Sequence, residues 1–66
     1  MRVTVNGRER SFAPEFSVDD LVAALVAARR GVAVAVNGTV VPRSLWIETA
    51  LADGDSVEVL SAAQGG

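Results

Sequence analysis

Asn-Gly occurs twice in this chain, at Asn6-Gly7 and Asn37-Gly38, and each pair lies between two runs that read as strands. Asn-Gly is the preferred centre of a type I′ turn, whose two central residues need positive φ and whose twist suits antiparallel strands. Before the first pair, Met1, Val3 and Val5 alternate with Arg2 and Thr4, and after it Arg8 to Phe12 reads as the returning strand. Ala13-Pro14-Glu15 breaks that strand. Before the second pair, Val32 to Val36 sets valines on one face and the small Ala33 and Ala35 on the other. Thr39-Val40-Val41 then returns until Pro42 ends the pairing. Two β-hairpins follow from these signals.

The segment between the hairpins carries a helix. Ser17 is the expected N-cap, with Asp20 three residues on in a variant of the capping box and Asp19 suited to the helix dipole. Val18, Leu21, Val22, Leu25 and Val26 form the apolar stripe, Arg29 and Arg30 suit the C-terminal end, and Gly31 is placed as a left-handed stop. Arg43 to Leu51 has no clean period; it predicts a short helical turn with Leu45, Trp46 and Leu51 partly buried. Asp53-Gly54-Asp55 is a turn into a last strand, Ser56 to Leu60. The order is ββαββ with a further β, an α+β class with a sheet of about four to five strands and one main helix packed on one face.

A helix with one apolar stripe buries it on one face of a sheet. Val3, Val5, Val32, Val34, Val36, Val57 and Val59 can supply that face, leaving the other to water or a partner. Alternation puts Ala33, Ala35 and Leu60 on the open face, an apolar set that reads either as scattered surface hydrophobics or as a docking surface.

Composition narrows the chemistry. At 66 residues the chain is one small domain with little room for an internal catalytic cavity beside a core. It has neither cysteine nor histidine, which excludes a thiolate nucleophile, the usual zinc sites and a Ser-His-Asp triad within these residues. The formal charge is −2 and the six basic residues are all arginine, too acidic a balance for a dedicated nucleic-acid binder. No apolar run approaches the roughly 20 residues that span a membrane, and the start lacks a signal-peptide core, so the expectation is a cytoplasmic protein. Asp53-x-Asp55 lacks the rest of a calcium loop, and no phosphate-binding glycine loop is present. Arg43 could meet a phosphate or an acidic partner, or be a surface charge flanking a helix. Trp46 reads as core.

The C-terminus remains. Gly65-Gly66 lies beyond any segment expected to pack, with Ala62, Ala63 and Gln64 as spacer: residues 1–61 form the domain and 62–66 a flexible tail. A carboxylate is a poor electrophile because it is negatively charged and has no leaving group. Adenylation by ATP converts it to a mixed anhydride, from which a sulfur donor can displace AMP and leave a thiocarboxylate. Such chemistry requires a partner enzyme with a narrow channel, which two glycines can thread and larger side chains cannot.

Three blocks in order carry a family resemblance: Ala35-Val36-Asn37-Gly38-Thr39-Val40-Val41-Pro42-Arg43-Ser44-Leu45-Trp46, then Leu51-Ala52-Asp53-Gly54-Asp55-Ser56-Val57-Glu58-Val59-Leu60, then Gln64-Gly65-Gly66. The chain resembles, over essentially its full length, the ThiS-type sulfur carriers that supply sulfur for the thiazole ring of thiamin. The resemblance implies the ubiquitin-like β-grasp fold, with the first and last strands adjacent and parallel at the sheet centre. It implies that Gly66 is adenylated and thiocarboxylated by an E1-like ThiF-type adenylyltransferase using ATP, with no cofactor bound to the carrier itself. Gly65 and Gln64 then thread the partner's channel, and Leu60, Ala33, Ala35 and Ala62 are candidate partner contacts. A sulfur donor such as a cysteine desulfurase and a ThiG-type thiazole synthase complete the implied set, with no nucleic acid and no membrane. The chain would be a co-substrate and not an enzyme. MoaD-type carriers of molybdopterin synthesis share the fold and the terminal pair, but tend to be longer and often carry proline before the glycines. A non-covalent ubiquitin-like interaction module is the alternative without covalent chemistry.

Overall fold

Both Asn-Gly pairs turn as their chemistry dictates, with φ of 49° and 81° at Asn6 and Gly7 and 51° and 84° at Asn37 and Gly38. In the computed structural model, which describes residues 1–27 and 30–62, the first turn joins β1 (Arg2–Val5) to β2 (Arg8–Ser11). The second joins β3 (Val32–Val36) to β4 (Thr39–Val40), and β5 (Ser56–Ser61) follows. A two-residue loop fixes register, and the pairs Val5 with Arg8 and Val36 with Thr39 are the innermost of each hairpin.

The five strands form one mixed sheet in the order β2-β1-β5-β3-β4. β5 is central, parallel to β1 and antiparallel to β3, which is the β-grasp arrangement. The two edges resist unwanted pairing in different ways. β2 is exposed throughout and carries Arg8, Glu9 and Arg10, while β4 is two residues long and is followed two residues later by Pro42.

Helix α1 (Val18–Leu25) starts where its cap predicts. The Ser17 hydroxyl accepts from the Asp20 amide at 3.0 Å, and the Asp20 carboxylate accepts from the Ser17 amide at 2.9 Å, a reciprocal capping box. The Val18 amide, which a helix leaves unpaired, donates to the Thr49 carbonyl at 2.8 Å. The C-terminal end departs from expectation: Val26 is already extended, at φ −128° and ψ 148°. A β-branched residue gives up little by leaving a helix, and Val26 still packs against the core from outside it. Arg30 therefore lies beyond the helix, and the predicted dipole role of Arg29 falls outside the described residues. Gly31 does take a positive φ of 71°, but just before β3 and not as a helix stop.

The core lies between α1 and one sheet face. Val3, Val5, Val34, Val57 and Val59 from the sheet meet Val18, Leu21 and Val22 from the helix, closed by Trp46 and Leu51. Val32 and Val36 are half-buried at its margin. Trp46 sits on a 3₁₀ helix, Arg43–Glu48, and its indole N–H donates to the Val41 carbonyl at 2.9 Å. Three residues make one 3₁₀ turn, so only one of three successive side chains can face inward. Trp46 takes that place at 2% exposure, which leaves Leu45 and Ile47 outside at 46% and 74%. The expectation of a partly buried Leu45 is thereby corrected, while Leu51 is fully buried.

Candidate functional site: the open sheet face and the end of the last strand

Strand parity divides the sheet. Val57 and Val59 of β5 point to the helix, so Ser56, Glu58 and Leu60 point away. Pairing transfers that division across the sheet, because directly paired residues share a face. Ala33 stands opposite Leu60, Ala35 opposite Glu58, and Val40 opposite Ala35. Leu60 and Val40 are 66% and 69% exposed, and with Ala33 and Ala35 they form one apolar strip. Three of the sequence-predicted contact residues are thus brought together on one face.

Val40 is a member of this strip that sequence reasoning did not name. The signal was available: with Asn37-Gly38 as a two-residue loop, Val40 must pair with Ala35 and share its face. Glu58 lies within the same strip as an exposed carboxylate. On the β1 side the open face becomes polar, where Arg2 donates to Glu9 at 2.6 Å. Both groups are well exposed, so the pair contributes at most about 1 kcal/mol.

β5 leads toward the C-terminus, and it is held from both sides. β1 leaves the sheet at the Asn6 turn, which would leave the β1 side of β5 without partners beyond Val57. The Asn6 side chain replaces the missing strand: its Oδ1 accepts from the Val59 amide at 2.8 Å, and its Nδ2 donates to the Val59 carbonyl at 3.1 Å. Asn37 does the equivalent at the other end, accepting from the Ser56 amide at 2.9 Å and donating to Asp55 at 2.9 Å. Past β5, the Ala62 amide donates to the Gly31 carbonyl at 2.8 Å. A Cβ on Gly31 would lie 3.2 Å from the Ala62 Cβ, so glycine is what allows the two backbones this close.

Asp53 and Asp55 spend their carboxylates on the turn before β5, accepting from the amides of Arg2 at 2.6 Å and Ala52 at 2.7 Å. Among the described residues, no three His, Cys, Asp or Glu side chains gather as a metal site. No helix among them is long and apolar enough to cross a membrane. Ala62 is exposed at the end of the described chain. The predicted reactive residues Gln64, Gly65 and Gly66 lie outside the described residues.

This fold has close counterparts. The crystal structure of the thiamine biosynthesis protein ThiS from Geobacter metallireducens is 39% identical, with a TM-score of 0.82 over 92% of this chain and 93% of that one. A solution structure of a thiamine biosynthesis protein from the same organism is 38% identical, with a TM-score of 0.76 over 91% and 81% of the two chains. A thiazole synthase from Paramagnetospirillum magneticum is 36% identical over all 66 residues, and this chain spans 20% of its length. The model of the ThiS family matches residues 3–66, from Val3 within β1 through Gly65 and Gly66, and the chain belongs to that family.

Proposed function

We propose that this chain is a sulfur carrier of thiamin biosynthesis, a protein co-substrate whose Gly66 carboxylate is the reacting group. The observation that carries this reading is that the family match runs through residue 66, so Gly65-Gly66 is part of what is matched. In the first step a Gly66 carboxylate oxygen attacks the α-phosphorus of ATP on an E1-like ThiF-type enzyme, and pyrophosphate leaves. A sulfide-level nucleophile, released by a reducing thiol from the persulfide of a donor such as a cysteine desulfurase, then attacks the acyl carbon, the C–S bond forms and AMP leaves. The thiocarboxylate delivers its sulfur to a ThiG-type thiazole synthase. ATP is the partner's substrate, and a cytoplasmic location is where these partners and ATP meet.

The chain's own residues serve this chemistry by presentation. The strip of Leu60, Ala33, Ala35 and Val40 offers an apolar surface beside the end of β5. Docking there, with Ala62 at its margin, puts the partner where the tail leaves the domain. Gln64 and Gly65 then lie in the partner's channel and Gly66 reaches its active centre. The hydrogen bonds from Asn6 and Gly31 hold β5 and Ala62 in place, so the tail departs from a fixed point.

Intact mass after incubation with the ThiF-type partner, ATP and a sulfur donor tests the reading. Replacement of one oxygen by sulfur is the expected result, and an unchanged mass with a partner proven active on another carrier would overturn it. Complementation separates pathways: rescue of a thiazole-requiring strain is expected, and rescue only of a molybdopterin-deficient one would reassign the chain.

A further inference from the structure

We infer that Asn37-Gly38 is a site of spontaneous deamidation in the folded chain, and that the Val59 backbone holds off the same reaction at Asn6-Gly7. The two sites share one local sequence, Val5-Asn6-Gly7 and Val36-Asn37-Gly38. Deamidation starts when the amide nitrogen of the following residue attacks the asparagine Cγ. The N–Cγ bond forms, the Cγ–Nδ2 bond breaks, and ammonia leaves with the proton of the attacking nitrogen. Water then opens the five-membered imide, at Cγ to give aspartate or at the backbone carbonyl to give isoaspartate. One water enters, one ammonia departs, and nothing is oxidised or reduced.

Both turns are shaped for this attack. A Cβ at Gly7 or Gly38 would meet no atom within 4 Å, so the attacking nitrogen is unhindered and water has access. Closing the imide swings the asparagine ψ from its type I′ value to about −120°, the type II′ value, while φ stays positive. The φ of 49° at Asn6 and 51° at Asn37 suits either turn, and a two-residue hairpin loop accepts both. Backbone geometry therefore does not tell the sites apart.

The side chains do. To reach Gly7, the Asn6 carboxamide must release the Val59 amide at 2.8 Å and the Val59 carbonyl at 3.1 Å. Both are partly buried, and they lie beyond the last pairing of β1 with β5. The Asn37 carboxamide accepts from the Ser56 amide at 2.9 Å and donates to an Asp55 carboxylate oxygen at 2.9 Å, both in an exposed setting where water takes its place. A difference of about 1.4 kcal/mol in freeing the side chain is a factor of ten in rate, so Asn37 is expected to convert roughly tenfold faster or more.

The product changes its surroundings. An aspartate at position 37 sets an acceptor-only carboxylate where Nδ2 donated to Asp55, whose other oxygen is held by the Ala52 amide at 2.7 Å. Like charges then face each other at the turn that starts β5. An isoaspartate lengthens the loop backbone by one atom, and that loop sets the register of Val36 with Thr39 and of Ala35 with Val40. The reaction at the turn thereby displaces Val40 from the apolar strip.

The test holds the folded chain at mildly alkaline pH beside the same chain unfolded in guanidinium chloride, with samples digested by trypsin at intervals. Cleavage after arginine puts Asn6 on the fragment 3–8 and Asn37 on the fragment 31–43, so each is weighed separately. Conversion adds the mass difference between a hydroxyl and an amino group. The unfolded chain should convert both fragments at similar rates, and the folded chain should convert 31–43 roughly tenfold faster than 3–8 or more. Equal rates in the folded chain, faster conversion of Asn6, or no conversion at either site over the time the unfolded chain needs would overturn the inference. Asn37→Asp should lower Tm, by less at high salt, and adding Asp55→Asn should restore it, because the exchanged pair again sets a donor against an acceptor. An Asn37→Asp chain as stable as the wild type, or one that Asp55→Asn does not restore, would overturn the like-charge consequence.

Discussion

Replacing Asn6 by glycine removes two hydrogen bonds without disturbing the turn that holds them. Glycine accepts the φ of 49° at this position as readily as asparagine, so the hairpin geometry survives. What is lost is the pair of bonds to the Val59 amide and carbonyl, at 2.8 and 3.1 Å, in a partly buried part of the sheet. A net hydrogen bond contributes about 0.5–1.5 kcal/mol, and stranding a buried partner costs about 1–3 kcal/mol. The expected loss is therefore about 2–3 kcal/mol, set against a total of about 3–10 kcal/mol for a domain of this size. Thermal unfolding followed by circular dichroism should show Tm lower by roughly 10–20 °C. Asn37→Gly is the internal control, because it carries the same glycine entropy term but removes bonds in an exposed setting. It should cost about 1 kcal/mol, since water can replace what is lost. Amide exchange at Val59 should accelerate in Asn6→Gly and not in Asn37→Gly. An Asn6→Gly variant within about 0.5 kcal/mol of wild type, or one no worse than Asn37→Gly, would refute the claim that this side chain substitutes for a strand.

Other substitutions probe separate parts of the fold. Gly31→Ala must hold an alanine at φ 71° with its Cβ 3.2 Å from that of Ala62, and should cost about 1–2 kcal/mol in urea unfolding, with the Ala62 amide resonance displaced. Trp46→Phe removes the indole bond to Val41 and opens a void, and should cost about 2 kcal/mol or more; its neighbour Ile47→Ser, on the exposed side of the same 3₁₀ turn, should stay within about 0.5 kcal/mol. Ser17→Ala breaks the capping box and should lose about 1 kcal/mol by the same assay.

The elements legible in the sequence were those set by residues close together in it. The Asn-Gly turns, the Ser17–Asp20 cap and the valine alternation each depend on a few neighbours, and each forms as read. Relations that depend on distant contacts were not legible. Asn6 announced a turn, but its bonds go to Val59, 53 positions away, because the parallel partner of β1 runs past the point where β1 turns. The apolar stripe of α1 placed Val26 correctly against the core, where it is half-buried, and the helix nevertheless stops before it. Periodicity reports which side chains face inward, not whether the backbone stays helical while they do so. Leu45 was misread because a 3₁₀ turn spaces residues differently from an α-helix. Of the candidate site, Leu60, Ala33 and Ala35 followed from alternation, while Val40 required carrying the loop register across one more strand.

The central claim is that the Gly66 carboxylate accepts the sulfur. It is tested most directly by fragment mass analysis of the chain after incubation with the ThiF-type partner, ATP and a sulfur donor, beside a chain lacking Gly66 shown by circular dichroism to be folded. The account predicts sulfur in place of one oxygen at Gly66 in the intact chain and none in the shortened one. Sulfur found at any other residue, or equal support of thiazole formation by the shortened chain, would contradict it.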